Sequence, residues 1–255
     1  MLIEALPPEG YAVLNFDDET ILGIKGRTRG HVFSFGFGAD AAVRIRNYRL
    51  DVAGNSPGMC FEIEHGGSAA SVRLRNTFGR QQAYAAAAAA CVGLVFNMSL
   101  PEIARALGGY ESPPGRLKLL RANKGAAVLD DTYNAAPAST LAALEVLAAF
   151  PAKRRIAVLG DMLELGKYTE AAHRTVGDAV AAVADFFFAV GQRMKFALDE
   201  ATAGGVENRR RSRLERHGGS APAHAHCRSR PRRRGDHLAD LVRRLGQLRD
   251  LHGSD

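Results

Sequence analysis

The chain has 255 residues, 46% of them hydrophobic, which is enough for a packed core and too many for general disorder. No apolar run approaches the roughly 20 residues of a membrane helix, and "MLIEALPPEG" has neither the basic start nor the long apolar stretch of a signal peptide. A cytoplasmic protein with no membrane partner is therefore expected. The net charge of +7 lies wholly after residue 206, where thirteen Arg face six acidic residues, so a basic nucleic-acid surface spread over the protein is excluded.

"YAVLNF" (11–16) is predicted as a strand, stopped by Asp17, Asp18 and Glu19. "HVFSFGF" (31–37) follows, then "AVRIRNYRLDV" (42–52), "MCFEIEH" (59–65) and "SVRLRN" (71–76). The last three alternate apolar and polar residues, the period of half-buried strands. Gly-rich turns at 54–58 and 66–67 fit antiparallel hairpins. "QQAYAAAAAACVGLVF" (81–96) is Ala-rich and predicts a buried helix packed close to a neighbour. "LPEIARALGGY" (100–110) predicts a short helix, with Pro101 in its first turn and Gly108-Gly109 at its end. "ESPPG" (111–115) reads as a linker.

After the linker, strands and helices alternate. Strands are predicted at 125–131, 155–161 and 185–191, and helices at 138–150, 169–183 and 192–203. Near-continuous apolar strands alternating with helices imply a parallel sheet covered by helices, an α/β fold. Ligands gather at the carboxyl ends of such strands. Those ends are Asp130-Asp131, Gly160-Asp161 and Gly191. From residue 207 on, the text lacks Lys, Ile, Phe and Tyr and is rich in Arg, His and Gly. It reads as a disordered basic tail, or as text foreign to the protein, with one possible amphipathic helix near 236–248.

Asp130 and Asp131 could bind ribose hydroxyls, hold a metal, or cap the helix that opens at Pro137. "GDMLELGKY" (160–168) is a second acidic loop, whose Asp161 and Glu164 could meet a substrate amine or a cation, or only solvent. Arg116 follows the linker and offers a planar fork suited to phosphate, or a surface ion pair. His173 stands alone in mid-helix, which favours a structural role. Cys60, Cys91 and Cys227 have neither disulfide-framework nor zinc spacing, and no metal site is expected. No Ser-His-Asp or Cys-His arrangement is readable, and no G-x-x-x-x-G-K-[ST] phosphate loop occurs.

Four stretches together resemble the Mur ligase family: "DDTYNAAP" (130–137), "AVLGDMLELGKYTEAAH" (157–173), "ESPPGRLKLL" (111–120) and "AVLNFDDE" (12–19). The resemblance covers residues 1–206 and is nearest to the branch that joins D-alanyl-D-alanine to UDP-N-acetylmuramoyl-tripeptide. It implies the C-terminal part of the central ATPase domain (1–112), a Rossmann-like α/β domain (113–206) and a tail (207–255). It also implies ATP and Mg²⁺ as cofactors, with the peptide carboxylate activated as an acyl phosphate. Carried over by position, Asp131 would bind the ATP ribose and Arg116 the phosphates. Gln82, in "GRQQ" where the family has G-[RK]-H-N, would reach the base. Asn134, Ala135 and Pro137 would shape the loop near the amino-acid substrate.

Other parts of the family pattern are not found. The UDP-sugar domain, the phosphate loop, the Mg²⁺-binding Glu and His and the modified Lys have no counterpart in these 255 residues. The expectation is a fragment with no intact catalytic set, inactive alone, whose tail comes from an altered reading frame. Two other readings stand beside it. One is a different Mur-type ligase, an amino-acid adder or folylpolyglutamate synthetase-like enzyme, against which the Y-N-A-x-P and G-D-M-x-E-L-G signatures argue. The other is a non-enzymatic basic protein whose tail binds nucleic acid.

Overall fold

The computed structural model describes residues 2–53, 56–122 and 125–210, the last four by their backbone alone. The chain divides into two compact units, 1–132 and 133–255. The possible helix at 236–248 and Cys227 lie outside the described residues.

The first unit is built on a five-stranded sheet in sequence order: β1 (Tyr11–Asn15), β2 (His31–Gly36), β3 (Val43–Asp51), β4 (Gly58–His65) and β5 (Ser68–Arg75). The two hairpins expected from the glycine turns are present, β3 to β4 and β4 to β5. Gly66 and Gly67, both at positive φ, make the two-residue turn between His65 and Ser68. In contrast, β1 pairs parallel with β2, and β2 with β3. Parallel pairing needs a crossover, and here it includes a helix that the sequence pattern did not predict, α1 (Glu19–Ile24). Asp18 starts it by accepting the N–H groups of Thr20 and Ile21.

Helix α2 (Arg80–Val95) buries Ala83, Ala86, Ala87, Ala90 and Cys91 against Val43, Ile45, Met59, Phe61, Ile63, Val72 and Leu74. Its small residues let elements approach closely. A Cβ at Gly93 would stand 2.9 Å from Cγ1 of Ile103 on α3 (Leu100–Gly108). A capping box starts α3, with the Ser99 N–H and hydroxyl both donating to Glu102.

One strand is corrected. The residues before "DDTYN" do not belong to a parallel sheet. β7 (Ala127–Asp130) pairs antiparallel with β6 (Lys118–Arg121), a strand hidden in what read as post-linker text.

The second unit has a three-stranded parallel sheet in the order β10-β9-β8, formed by β8 (Ile156–Gly160), β9 (Phe186–Val190) and β10 (Glu207–Arg210). Residues 207–210, read as the start of a disordered tail, thus form a paired strand. α4 (Pro137–Ala149), α5 (Thr169–Val183) and α6 (Lys195–Ala203) share one core around Leu141, Leu144, Val176, Val180, Phe187 and Ala197. Helix α6 begins three residues later than the sequence suggested, because Gly191 turns the chain at φ 110°. Among the described residues, no helix is long and apolar enough to cross a membrane.

Candidate functional site

In the first unit the linker is shaped by its own backbone. The Gly115 φ is 74° and the buried Leu117 has a φ of 51°, a sparsely populated conformation for a branched residue. Ser112 donates to the Arg116 carbonyl at 2.6 Å, which closes the turn. The Gly115 N–H donates to Asp130, whose other oxygen accepts from the Thr132 N–H and hydroxyl. The Thr132 bond, above all, holds the Asp130 carboxyl below its ordinary pKa. This geometry makes Asp130 structural, since it clamps the linker to the end of β7.

Asp131 is placed differently. Burial raises its pKa, and a hydrogen bond from the Leu117 backbone and the Arg116 charge only partly oppose this. The result is a half-buried carboxylate that would gain from further hydrogen-bond donors. Arg116 is exposed, and its charge acts on Asp131.

The first turn of α2 lies beside the same linker. A Cβ at Gly79, which sits at φ 89°, would be 3.1 Å from Cδ2 of Leu117. Gln82, two residues into the helix, accepts from the Tyr110 hydroxyl at 3.3 Å. Gly79 to Gln82, Tyr110, the linker turn and Asp131 therefore form one neighbourhood on unit 1.

Sequence reasoning gave no role to Asp17 or Tyr84. Asp17 follows the carboxyl end of β1 and accepts from the Phe37 N–H at 2.6 Å, the Gly38 N–H at 2.9 Å and the Tyr84 hydroxyl at 2.8 Å. A Cβ at Gly36 would come within 2.7 Å of Asp17 Oδ1, so the glycine is needed for this approach. Burial and the Asp17 bond push the Tyr84 pKa up to about 12. Arg80 lies over the Phe37 ring at 3.9 Å. Asp17 and Arg80 thus tie α2 to the sheet beneath it. The only sequence-level hint was the Asp-Asp pair that ends the first strand.

The second unit holds the remaining predicted residues. Asn134 is exposed, Ala135 packs against the core, and Pro137 is the first residue of α4. The cap of α4 comes from Ser139, which binds the Ala136 backbone N–H and carbonyl. At the end of β8, Asp161 accepts the Met194 N–H at 2.7 Å, beside the start of α6. Its carboxylate lies where a Cβ on Gly191 would be, so the two positions are matched. Glu164 is exposed, at a φ of 62°. His173 is fully buried; its Nε2 accepts the Met162 N–H at 3.2 Å and its Nδ1 faces the Thr169 carbonyl at 2.6 Å. That pairing needs the neutral ring with the proton on Nδ1, and it pins the acidic loop to α5. Among the described residues, no group of three or more His, Cys, Asp or Glu could hold a metal ion.

Residues 115–227 match the family model described as Mur ligase, glutamate ligase domain. The match continues past residue 206, where the sequence resemblance was expected to end. UDP-N-acetylmuramoyl-tripeptide--D-alanyl-D-alanine ligase of Synechocystis sp. is 31% identical over 209 residues, 81% of this chain and 42% of that protein. The enzyme of the same name from Escherichia coli K12 is 39% identical over 116 residues, 45% of this chain and 25% of that one. Among solved structures, MurF from Acinetobacter baumannii superimposes with a TM-score of 0.70 at 27% identity, covering 82% of this chain and 44% of its own. MurF ligase from Thermotoga maritima, solved in complex with ADP, gives 0.67 at 25% identity, with 77% and 44% covered. The chain thus spans less than half the length of these relatives.

Proposed function

We propose that this chain belongs to the Mur ligase family and is part of an ATP-dependent ligase joining D-alanyl-D-alanine to UDP-N-acetylmuramoyl-tripeptide. The observation that carries the reading is Asp131. It is a half-buried carboxylate whose pKa is raised by burial, at the end of β7 beside the Arg116 charge and the linker turn that Asp130 and Ser112 fix. Such a carboxylate gains from vicinal hydroxyl donors, and a ribose supplies two of them. Arg116 is placed to meet phosphate oxygens, and the Gln82 amide, adjoining the same turn, to meet a base edge.

These residues fit a nucleotide. When bound, ATP supplies the phosphoryl group that activates a carboxylate for amide formation. The part this chain plays is to hold and orient the nucleotide: Asp131 by its sugar, Arg116 by its charge. Among the described residues no group of three or more acidic or His residues could hold a metal ion by itself, so Mg²⁺ would be held chiefly by the nucleotide phosphates. On the second unit, Asn134, Ala135 and Pro137 form the loop proposed to face the amino-acid substrate. Asp161 and Glu164 are kept as substrate-side candidates, although Asp161 already receives the Met194 N–H.

The 255 residues contain no phosphate-loop motif, and pre-organised positive charge around the phosphoryl group is what catalysis needs. We therefore propose no turnover by this chain alone. ADP release should be measured for the chain and for a fusion that places the preceding part of the Escherichia coli relative ahead of Met1. The chain alone should release none, and the fusion should release ADP only with D-alanyl-D-alanine present. Turnover by the unfused chain, or a fusion that prefers free lysine or diaminopimelate, would overturn the reading.

A further inference from the structure

Gln82 and Tyr110 are 28 positions apart, and the backbone fixes each of them before their side chains meet. Gln82 lies in the first turn of α2, where its N–H donates to the Gly79 carbonyl at 3.1 Å. Two contacts pin that turn to the sheet: the Tyr84 hydroxyl donates to Asp17, and the Arg80 guanidinium covers the Phe37 ring. Tyr110 comes just after α3, and its N–H donates to the Leu107 carbonyl at 2.9 Å. Buried Ile103 of α3 lies close against Gly93 of α2, so the two helices are fixed to each other. The Tyr110 hydroxyl then donates to Gln82 Oε1 at 3.3 Å. A phenol donates better than it accepts, because its oxygen lone pairs are shared with the ring, and the oxygen is the accepting end of a Gln amide. The bond therefore sets which way the amide faces. It leaves one lone pair on Oε1 and both Nε2 hydrogens for a ligand; among the described residues Nε2 has no partner.

We propose that Tyr110 is a positioning residue, which fixes the Gln82 amide in the orientation that reads adenine and opposes guanine. The inference rests on the nucleotide reading of this site. Adenine presents on one edge an N6 hydrogen and the N7 lone pair, and an amide meets both at once, its oxygen at N6–H and its NH₂ at N7. Guanine presents O6 and N7, two acceptors, on the same edge. With Oε1 held by Tyr110, guanine O6 would face a carbonyl oxygen, and an acceptor left without a donor costs binding. A free amide could turn its NH₂ towards O6 and recover a bond. The turned amide would oppose adenine at both positions, donor against N6–H and acceptor against N7. One phenol hydroxyl thus strengthens the contact with adenine and withholds it from guanine. The hydroxyl acts only through Gln82 and needs no contact with the nucleotide itself. Both side chains stand at least partly in solvent, so removing the hydroxyl leaves the fold intact.

Tyr110→Phe removes the hydroxyl and keeps the ring, and two measurements on it decide the matter. In the full chain without nucleotide, ¹⁵N relaxation of the Gln82 side-chain amide reports its order, and the variant should loosen it. In the fusion with the Escherichia coli relative, kcat/KM for ATP over GTP should fall roughly two- to tenfold, the worth of one neutral hydrogen bond, through KM rather than kcat. The preference for ATP over 2′,3′-dideoxy-ATP should not change, because the ribose is read by Asp131. In a Gln82→Ala background, Tyr110→Phe should change neither ratio. Unchanged amide order, an unchanged ATP-over-GTP ratio, or an equal fall in the Gln82→Ala background would overturn the proposal. Gln82→Ala alone separates this inference from the reading beneath it. If it lowers the ATP-over-GTP ratio while Tyr110→Phe does not, Gln82 reads the base and the role of Tyr110 falls. If it leaves the ratio unchanged, Gln82 does not read the base and both fall. A fusion with no ATP turnover would overturn the nucleotide reading and the proposal with it.

Discussion

The pairing of Asp161 with Gly191 permits a quantitative test of how the second unit holds its loop. The carboxylate of Asp161 occupies the space a Cβ at 191 would need, and it receives the Met194 N–H at 2.7 Å. A hydrogen bond to a charged group contributes about 1.5–3 kcal/mol, so Asp161→Ala should weaken the start of α6 by about 2 kcal/mol. Gly191→Ala meets two costs. A non-glycine residue at φ 110° is strained by roughly 1–3 kcal/mol, and the new methyl group displaces the carboxylate, forfeiting the same ~2 kcal/mol. The single variant should therefore lose about 4 kcal/mol. Because the latch is already lost in Gly191→Ala, adding Asp161→Ala should cost nothing more. The cycle should be non-additive by about 2 kcal/mol. Native-state hydrogen exchange at Leu198, whose N–H bonds the Met194 carbonyl at 2.9 Å, reads the local opening directly. Strict additivity of the two variants would show that the two positions are not coupled in this way.

Two further predictions concern titration. Tyr84 has its pKa raised to about 12, so the folded state holds the phenolic proton more tightly than the unfolded state does. Its contribution to stability should be complete below the ordinary tyrosine value of 10.0 and be lost as pH rises towards about 12. Absorbance titration should find a late-titrating tyrosine that disappears in Tyr84→Phe. Asp131 also has a raised pKa, from 3.8. A carboxyl shifted this way stabilises the fold below its unfolded pKa, and that contribution is lost as pH rises through the folded value. Without nucleotide, Asp131→Asn should therefore raise the Tm at neutral pH relative to the native chain. The gain should vanish in acid. A lower Tm for Asp131→Asn at neutral pH would contradict the assignment of burial as the main cause.

Several elements were legible because their signal is local. The Ala run at 83–90 fixes α2, and the apolar alternation in "MCFEIEH" fixes β4. The span of α5 matches its expected residues because its strand neighbours are sharply different in composition. What escaped depends on partners distant in sequence. β6 has only four residues, two of them basic, and becomes a strand only by pairing with β7. The parallel pairing of β1 with β2 depends on a six-residue helix containing Gly23 and the β-branched Thr20 and Ile21, all poor helix formers. The start of α6 was misplaced because the deciding contact joins Asp161 to Gly191. The exposure of Ile156, Val158 and Val190 was missed too, since strand composition says that both faces are apolar and not which one is covered. The candidate site divides the same way. Asp131, Arg116 and Gln82 came from the family resemblance, and the structure supplied the reason Asp130 differs from its neighbour. Asp17 and Tyr84 join residues 67 positions apart, a separation at which a single sequence carries no pattern.

The proposed function stands or falls with the binding of the nucleotide ribose by Asp131. The direct measurement is kcat/KM for ATP against 2′,3′-dideoxy-ATP, using the fusion with the Escherichia coli relative and its Asp131→Ala variant. Hydrogen bonds to a charged group are worth about 1.5–3 kcal/mol, so the parent fusion should favour ATP by roughly 10- to 100-fold. In Asp131→Ala that preference should collapse to about one. An undiminished preference for ATP in the variant would mean that another group holds the ribose.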